Sequence, residues 1–164
     1  MKWIALAVLF LVLLVLWRQM FAGWRARLNR QADIAAPARL GAKEPGSAAV
    51  EGVYVSTVDA DNALERIAVH GLGTRSAVHV EVGPQGVALF RAGARSFAIP
   101  RADLVGVGRG PGMVGKFVGR DGLVVLRWKL GDRVVDTGIR PRRAEEGNRL
   151  VQQVQQILAE GQQR

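Results

Sequence analysis

A chain of 164 residues has room for one domain of ordinary size beside a short accessory segment. The absence of cysteine excludes disulfides and thiolate metal sites, and it fits a cytoplasmic domain. The formal charge of +9 points to nucleic acid only until it is divided. Lys2 carries one unit, residues 18–43 hold six basic residues against Asp33, and residues 44–164 carry an excess of three. A mildly basic remainder, with no zinc finger and no interleaved aromatic–basic platform, argues against nucleic acid as a partner.

Residues 3–17 (WIALAVLFLVLLVLW) contain no polar side chain. They cover roughly 22 Å as a helix, and continuation through Arg18 and Gln19 to Phe21 reaches about 28 Å, close to the thickness of a bilayer core. Arg18 and Gln19 can snorkel, and Trp3, Trp17 and Trp24 are placed as interfacial anchors. A cleaved signal peptide is the competing reading, but no small-x-small site follows the run. Arg18, Arg25, Arg27 and Arg30 also stand where a translocated mature chain would begin. The expectation is a retained single-pass anchor over residues 1–24. The basic flank predicts a short N-terminus outside and the C-terminal bulk on the cytoplasmic side of the cell's inner membrane.

Residues 25–50 are rich in Ala, Arg, Gly and Pro and read as a basic linker that opens with a continuation of the helix to about Gln31, with the folded domain expected over residues 51–160. Residues 51–58 alternate enough for a first strand. Residues 61–70 fit a short helix through Leu64, Ile67 and Ala68, with an irregular strand as the alternative. Val78, Val80 and Val82 line one face of a strand over 76–82, and the turn at residues 83–86 (GPQG) returns the chain into a partner over 87–91. A short strand over 95–99 ends at Pro100, and weaker candidates lie at 102–107 and 113–118. Residues 122–130 align Val124, Leu126, Trp128 and Leu130, and the turn at Gly131 and Asp132 leads into 133–139. Finally, Leu150, Val151, Val154, Ile157 and Leu158 recur at helical spacing opposite a row of glutamines. The expected fold is mainly β: about seven short antiparallel strands forming a small curled sheet or barrel, closed by one amphipathic helix.

The strings RIAVHGLGTR (66–75) and LVVLRWKLGDRVVDTGIR (123–140), after a single apolar span, resemble a family of actinobacterial membrane proteins carrying a bacterial pleckstrin-homology-like (PH-like) domain. The resemblance covers roughly residues 50–158 and implies a PH-like barrel capped by the C-terminal helix, with no established activity. Such proteins are often labelled "transporter" or "export or membrane protein". A single helix without an internal polar residue cannot by itself line a transport path.

The string GPGMVGKF (110–117) nearly matches a phosphate-binding P-loop, but Phe117 stands where the Mg²⁺-binding hydroxyl belongs and no helix follows. A glycine-rich loop between strands is the simpler reading, with Lys116 and backbone N–H groups able to face an anion. In HGLGTR (70–75), His70 and Arg75 either bond loop carbonyls and fix its shape, or join Arg66 in a ligand or partner surface. His79 is the only other histidine, so no metal set is expected, and no cofactor. Asp59 and Asp61 read as turn and cap residues, and residues 140–143 (RPRR) as a solvated connection with an option on membrane phosphates. No nucleophile elbow is present, so no enzyme is expected.

PH-like folds usually bind at loops on one rim, so the resemblance nominates Arg75, Arg109, Lys116 and Arg120 if they converge. The expected function is a non-catalytic binding or scaffold module, engaging a protein partner or anionic lipid headgroups at the membrane. The alternative is an accessory subunit of a transport or envelope-assembly complex. The oligomeric state is left open.

Overall fold

The computed structural model describes the backbone of residues 2–41, 44–110, 112–113, 116–117 and 122–162; side chains at 5, 7, 27–30, 112–113, 116–117 and 162 lie outside the description. The chain divides into two compact units, residues 1–33 and 34–164.

The first unit is the helix α1 (Lys2–Arg30). Its Lys2–Ala26 stretch has a mean hydropathy of 2.3 and no buried residue among those described, and is long and apolar enough to cross a membrane. Trp17, Phe21 and Trp24 follow one another at i, i+4 and i+7, in edge-to-face contact at 4.9 and 6.3 Å between ring centroids.

The second unit begins at Ile34, which is buried in the core. The helix thus runs to Arg30, in line with the expected continuation to about Gln31, and Ile34 belongs to the second unit. Ala38–Arg39 forms a short edge strand, β1, paired with Phe97 and Ala98. The other strands are β2 (Val50–Asp59), β3 (Ser76–Gly83), β4 (Gly86–Arg91), β5 (Phe97–Pro100), β6 (Leu104–Gly110), β7 (Gly112–Met113), β8 (Lys116–Phe117), β9 (Leu123–Leu130) and β10 (Arg133–Pro141). β7 and β8 make a separate two-stranded ribbon. The rest form one antiparallel sheet in the order β1-β5-β4-β3-β2-β10-β9-β6. The helix α2 (Ala144–Gln162) follows, with Glu145 and Glu146 in its first turn, where they complement the helix dipole.

The sheet curls, and three rings show why it must. Five strand spacings separate β5 from β9, about 24 Å in a flat sheet. Yet Phe97 of β5 stacks on Trp128 of β9 at 6.0 Å and meets Tyr54 of β2 edge-on at 6.2 Å. The alternating residues of β3, β9 and β10 therefore point into one core, and Leu150, Val154 and Ile157 of α2 complete it. At the turn between β3 and β4, Gly86 has φ +132°, and a Cβ there would lie 2.1 Å from the Ile99 carbonyl oxygen, so only glycine fits.

The short helix expected over residues 61–70 is not formed. Pairing between β2 and β3 stops at Tyr54 and Ser76, which leaves the second half of β2 with free backbone groups. The 65–72 segment satisfies them: Thr57 N–H donates to the Leu72 carbonyl (2.9 Å), Ile67 N–H to the Thr57 carbonyl (3.0 Å) and Asp59 N–H to the Glu65 carbonyl (2.9 Å). Ile67 is buried while Leu64 is 75% exposed, so the apolar residues do not share a helical face. Only the turn Val69–Gly71 is helical, of the 3₁₀ type. Asp59 and Asn62 accept backbone N–H groups of Asp61 and Leu64, as turn residues do.

A chain of hydroxyls crosses the core. Trp128 Nε1–H donates to Thr137 Oγ1 (2.9 Å), Thr137 and Thr57 share a 2.7 Å bond, as do Thr57 and Tyr54, and the Tyr54 hydroxyl donates to the Leu72 carbonyl (2.7 Å). The indole can only donate and the carbonyl can only accept, so every proton between them points the same way. Each buried hydroxyl then accepts one bond and donates one. Thr137→Val conserves shape but leaves the indole N–H and one hydroxyl lone pair unmatched. We expect it to lower stability by about 1–3 kcal/mol. The check is a lower urea midpoint at unchanged slope.

Candidate functional site

The loop at residues 70–76 is built around an arginine on another strand. Arg91, at the end of β4, is 6% exposed and has its guanidinium 3.9 Å above the Tyr54 ring. Its Nε–H donates to Ser76 Oγ (3.0 Å), and its two terminal nitrogens donate to the carbonyls of Gly71 (3.1 Å) and Thr74 (2.5 Å). Burial pushes the guanidinium below its usual range, an effect the Tyr54 hydroxyl opposes. Among the described residues no carboxylate pairs with Arg91. Its charge is met by carbonyl dipoles and a ring face, and three of the loop's residues, Gly71, Thr74 and Ser76, hang from that one side chain.

The loop's own residues serve its shape. His70 adopts φ +57°, unusual for a residue other than glycine, and its Nε2 lies 2.8 Å from the Ile34 carbonyl oxygen. Gly73 is required because a Cβ there would approach the Ile67 carbonyl oxygen to 2.9 Å. Arg66 bridges back to the Gly73 carbonyl at 3.4 Å. His70 and Arg66 are therefore engaged with backbone, while Arg75 projects outward and exposed.

Of the four cations expected on one rim, only Arg75 and Arg109 have described side chains. Arg109 donates from Nη1 to Asn148 of α2 at 2.9 Å, and its guanidinium lies over Gly147, where a Cβ would sit 2.8 Å from the same nitrogen. It fastens β6 to the helix. Lys116 is in β8, but its side chain lies outside the described residues, as does Arg120 altogether. On α1, Trp3, Trp17, Arg18, Trp24 and Arg25 are exposed, while the side chains of Arg27 and Arg30 lie outside the description.

Arg75 instead meets residues that the sequence keeps 65 positions away. The register aligns Val53 with Ala77 on one side and with Arg140 on the other, and Glu51 with His79. Arg142 reaches Glu51 through a 3.0 Å ion pair, and its backbone N–H donates to the Glu51 carbonyl. Arg75, His79, Arg140 and Arg142 thus border one groove of about 460 Å³, floored by Gly52, Val53 and Ala77 on the outer face of β3, β2 and β10. Glu51 is the only acid lining it, tied to Arg142 and 3.8 Å from His79 Nε2. A local signal for this groove exists in the RPRR string, but its alignment with Arg75 depends on strand register.

A second depression of about 1100 Å³ lies between the end of α2 and the β5–β6 connection, lined by Arg101, Leu104, Val105, Ile157 and Leu158 among others. Among the described residues no cluster of three His, Asp or Glu is close enough to hold a metal ion.

No curated protein matches the chain at a significant level. The family model described as "Bacterial PH domain-like" matches residues 31–155, which contain the whole curled sheet and most of α2. The match also starts upstream of the strand expected to open the domain, in accord with the burial of Ile34. The curled antiparallel sheet, its closing helix and this match together place the chain in the bacterial PH domain-like family.

Proposed function

We propose that the protein is a membrane-tethered, non-catalytic binding module whose PH-like domain works at the cytoplasmic face of the inner membrane. The observation that carries this reading is the pairing of an apolar helix, Lys2–Ala26, exposed at every described side chain, with a folded unit that begins at Ile34. Water does not tolerate such a helix uncovered, and a bilayer covers it at no cost in polar burial. The arginines that follow the span favour the cytoplasmic side for everything after it. A domain tethered to the bilayer gains effective concentration for lipid headgroups and for membrane-bound protein partners, so weak contacts suffice.

The cysteine-free chain makes the topology directly measurable. Ala159 is exposed on α2, and Ala159→Cys introduces a single thiol there. In intact cells a membrane-impermeant maleimide leaves this thiol unmodified, and permeabilisation makes it reactive. Modification in intact cells, or release of the protein into the soluble fraction, overturns the reading.

A further inference from the structure

The groove on the outer face of β2, β3 and β10 holds more positive charge than the fold uses. The side chains of Arg75 and Arg140 make no hydrogen bond or ion pair among the described residues, and both residues are exposed. Both nevertheless stand on fixed backbone. Arg140 is within β10, paired with Val53. Arg75 lies between Thr74 and Ser76, and Arg91 bonds the carbonyl of the first and the hydroxyl of the second. A cation whose two chain neighbours are both clamped by a buried side chain is positioned before any ligand arrives.

The spacing suits one small anion. Arg140 faces Ala77 across β2, and Arg75 stands two residues before Ala77, so two strand spacings and two residues of rise put the two arginine backbones roughly 12 Å apart, a gap that their long side chains can close from opposite sides. The floor residues Gly52, Val53 and Ala77 are small and leave that space open. Arg142 forms a third side, oriented by its bond to Glu51. Three guanidinium forks offer more planar N–H donors than one carboxylate can accept, and they match the several oxygens of a phosphate group.

We propose that this groove is a phosphate-binding site, with Arg75 and Arg140 clamping the anion and Arg142 completing the set. The ligand is a phosphorylated small molecule or the phosphodiester headgroup of an anionic lipid. The proposal rests on the reading of the domain as a binding module. It stays separate from the topology result, because the groove is formed whichever side of the membrane the domain occupies.

The test uses the full-length chain, ¹⁵N-labelled, in neutral detergent micelles. Pyrophosphate serves as the free-phosphate probe, dihexanoyl phosphatidylglycerol as the headgroup probe, and dihexanoyl phosphatidylcholine as the uncharged counterpart. The expected result is that pyrophosphate or phosphatidylglycerol shifts the amide signals of Gly52, Ala77, His79 and Arg140, and that phosphatidylcholine does not. A response to pyrophosphate identifies a soluble phosphate ligand, and a response to phosphatidylglycerol alone identifies the lipid headgroup. Arg75→Gln/Arg140→Gln weakens binding by about tenfold or more. Glu51→Gln removes the one opposing charge and tightens binding about threefold. No shift with either anion at millimolar concentration overturns the proposal. So does binding that survives the double substitution, or an affinity that Glu51→Gln leaves unchanged or lowers.

Discussion

Arg91→Ala is expected to lower the stability of the domain by about 3–5 kcal/mol, because it strands two carbonyls and a hydroxyl that its charge-assisted bonds now satisfy. The substitution withdraws three hydrogen bonds from a single site and uncovers the Tyr54 ring. Each charge-assisted bond contributes about 1.5–3 kcal/mol, and relief from keeping a cation half out of water offsets part of the sum. Arg91→Lys retains the charge but replaces a planar fork with a point, which cannot reach Ser76, Gly71 and Thr74 together. It should recover less than half of the loss. Urea unfolding of the full chain, followed by the near-ultraviolet circular dichroism of buried Trp128, measures both variants. A loss under about 1 kcal/mol for Arg91→Ala would mean that the loop holds its shape without the clamp. Because the same side chain fixes the neighbours of Arg75, Arg91→Lys should also broaden the amide signals of residues 71–76.

The second large effect lies in alkaline solution. Tyr54 is the chain's single tyrosine, so tyrosinate absorbance reports on it alone. Burial raises its pKa from 10.0 to about 12, against the opposing pull of its bond to Thr57 and the charges of Arg91 and Arg66. The group is neutral and fully hydrogen-bonded in the folded state, while the unfolded chain ionises near its ordinary value. Below pH 10 both states hold the proton and stability does not change. Between pH 10 and about 12 the unfolded state has lost its proton and the folded state has kept it, so stability falls as pH rises. The slope is about 1.4 kcal/mol per pH unit, and the total approaches roughly 2–3 kcal/mol. Tyr54→Phe abolishes this slope, at the cost of a bond to Thr57 and one to the Leu72 carbonyl. The comparison of the two proteins cancels the titration of surface lysines and arginines. A tyrosinate midpoint near 10 with native circular dichroism intact would contradict the closed hydroxyl chain.

Elements with a strong local pattern are readable from the chain. The alternation of Val78, Val80 and Val82, the run Val124–Leu126–Trp128–Leu130, and the turns at Gly86 and Gly131 all coincide with observed strands and hairpins. The spacing of Leu150, Val154 and Ile157 places α2 and its buried face. Residues 61–70 show the opposite case. Their spacing fits a turn or two of helix, yet the unpaired half of β2 competes for the same backbone groups and wins. Ile34 is likewise unremarkable among alanines until the core closes over it.

The candidate sites divide along the same line. Nothing around Arg91 announces that it carries a loop, because its acceptors lie 15 to 20 residues upstream. Arg66, His70 and Arg109 look as available in sequence as Arg75, but backbone and side-chain partners engage them. The sequence alone determined the apolar helix, the basic flank, the mainly β composition of the domain and its amphipathic last helix, since these depend on neighbours within a few residues. The tertiary structure decided that Ile34 packs into the core, which cations are occupied and that Arg75 and Arg140 border one groove across β2. Strand register and long-range hydrogen bonds set those outcomes, and neither has a period that a linear reading can detect.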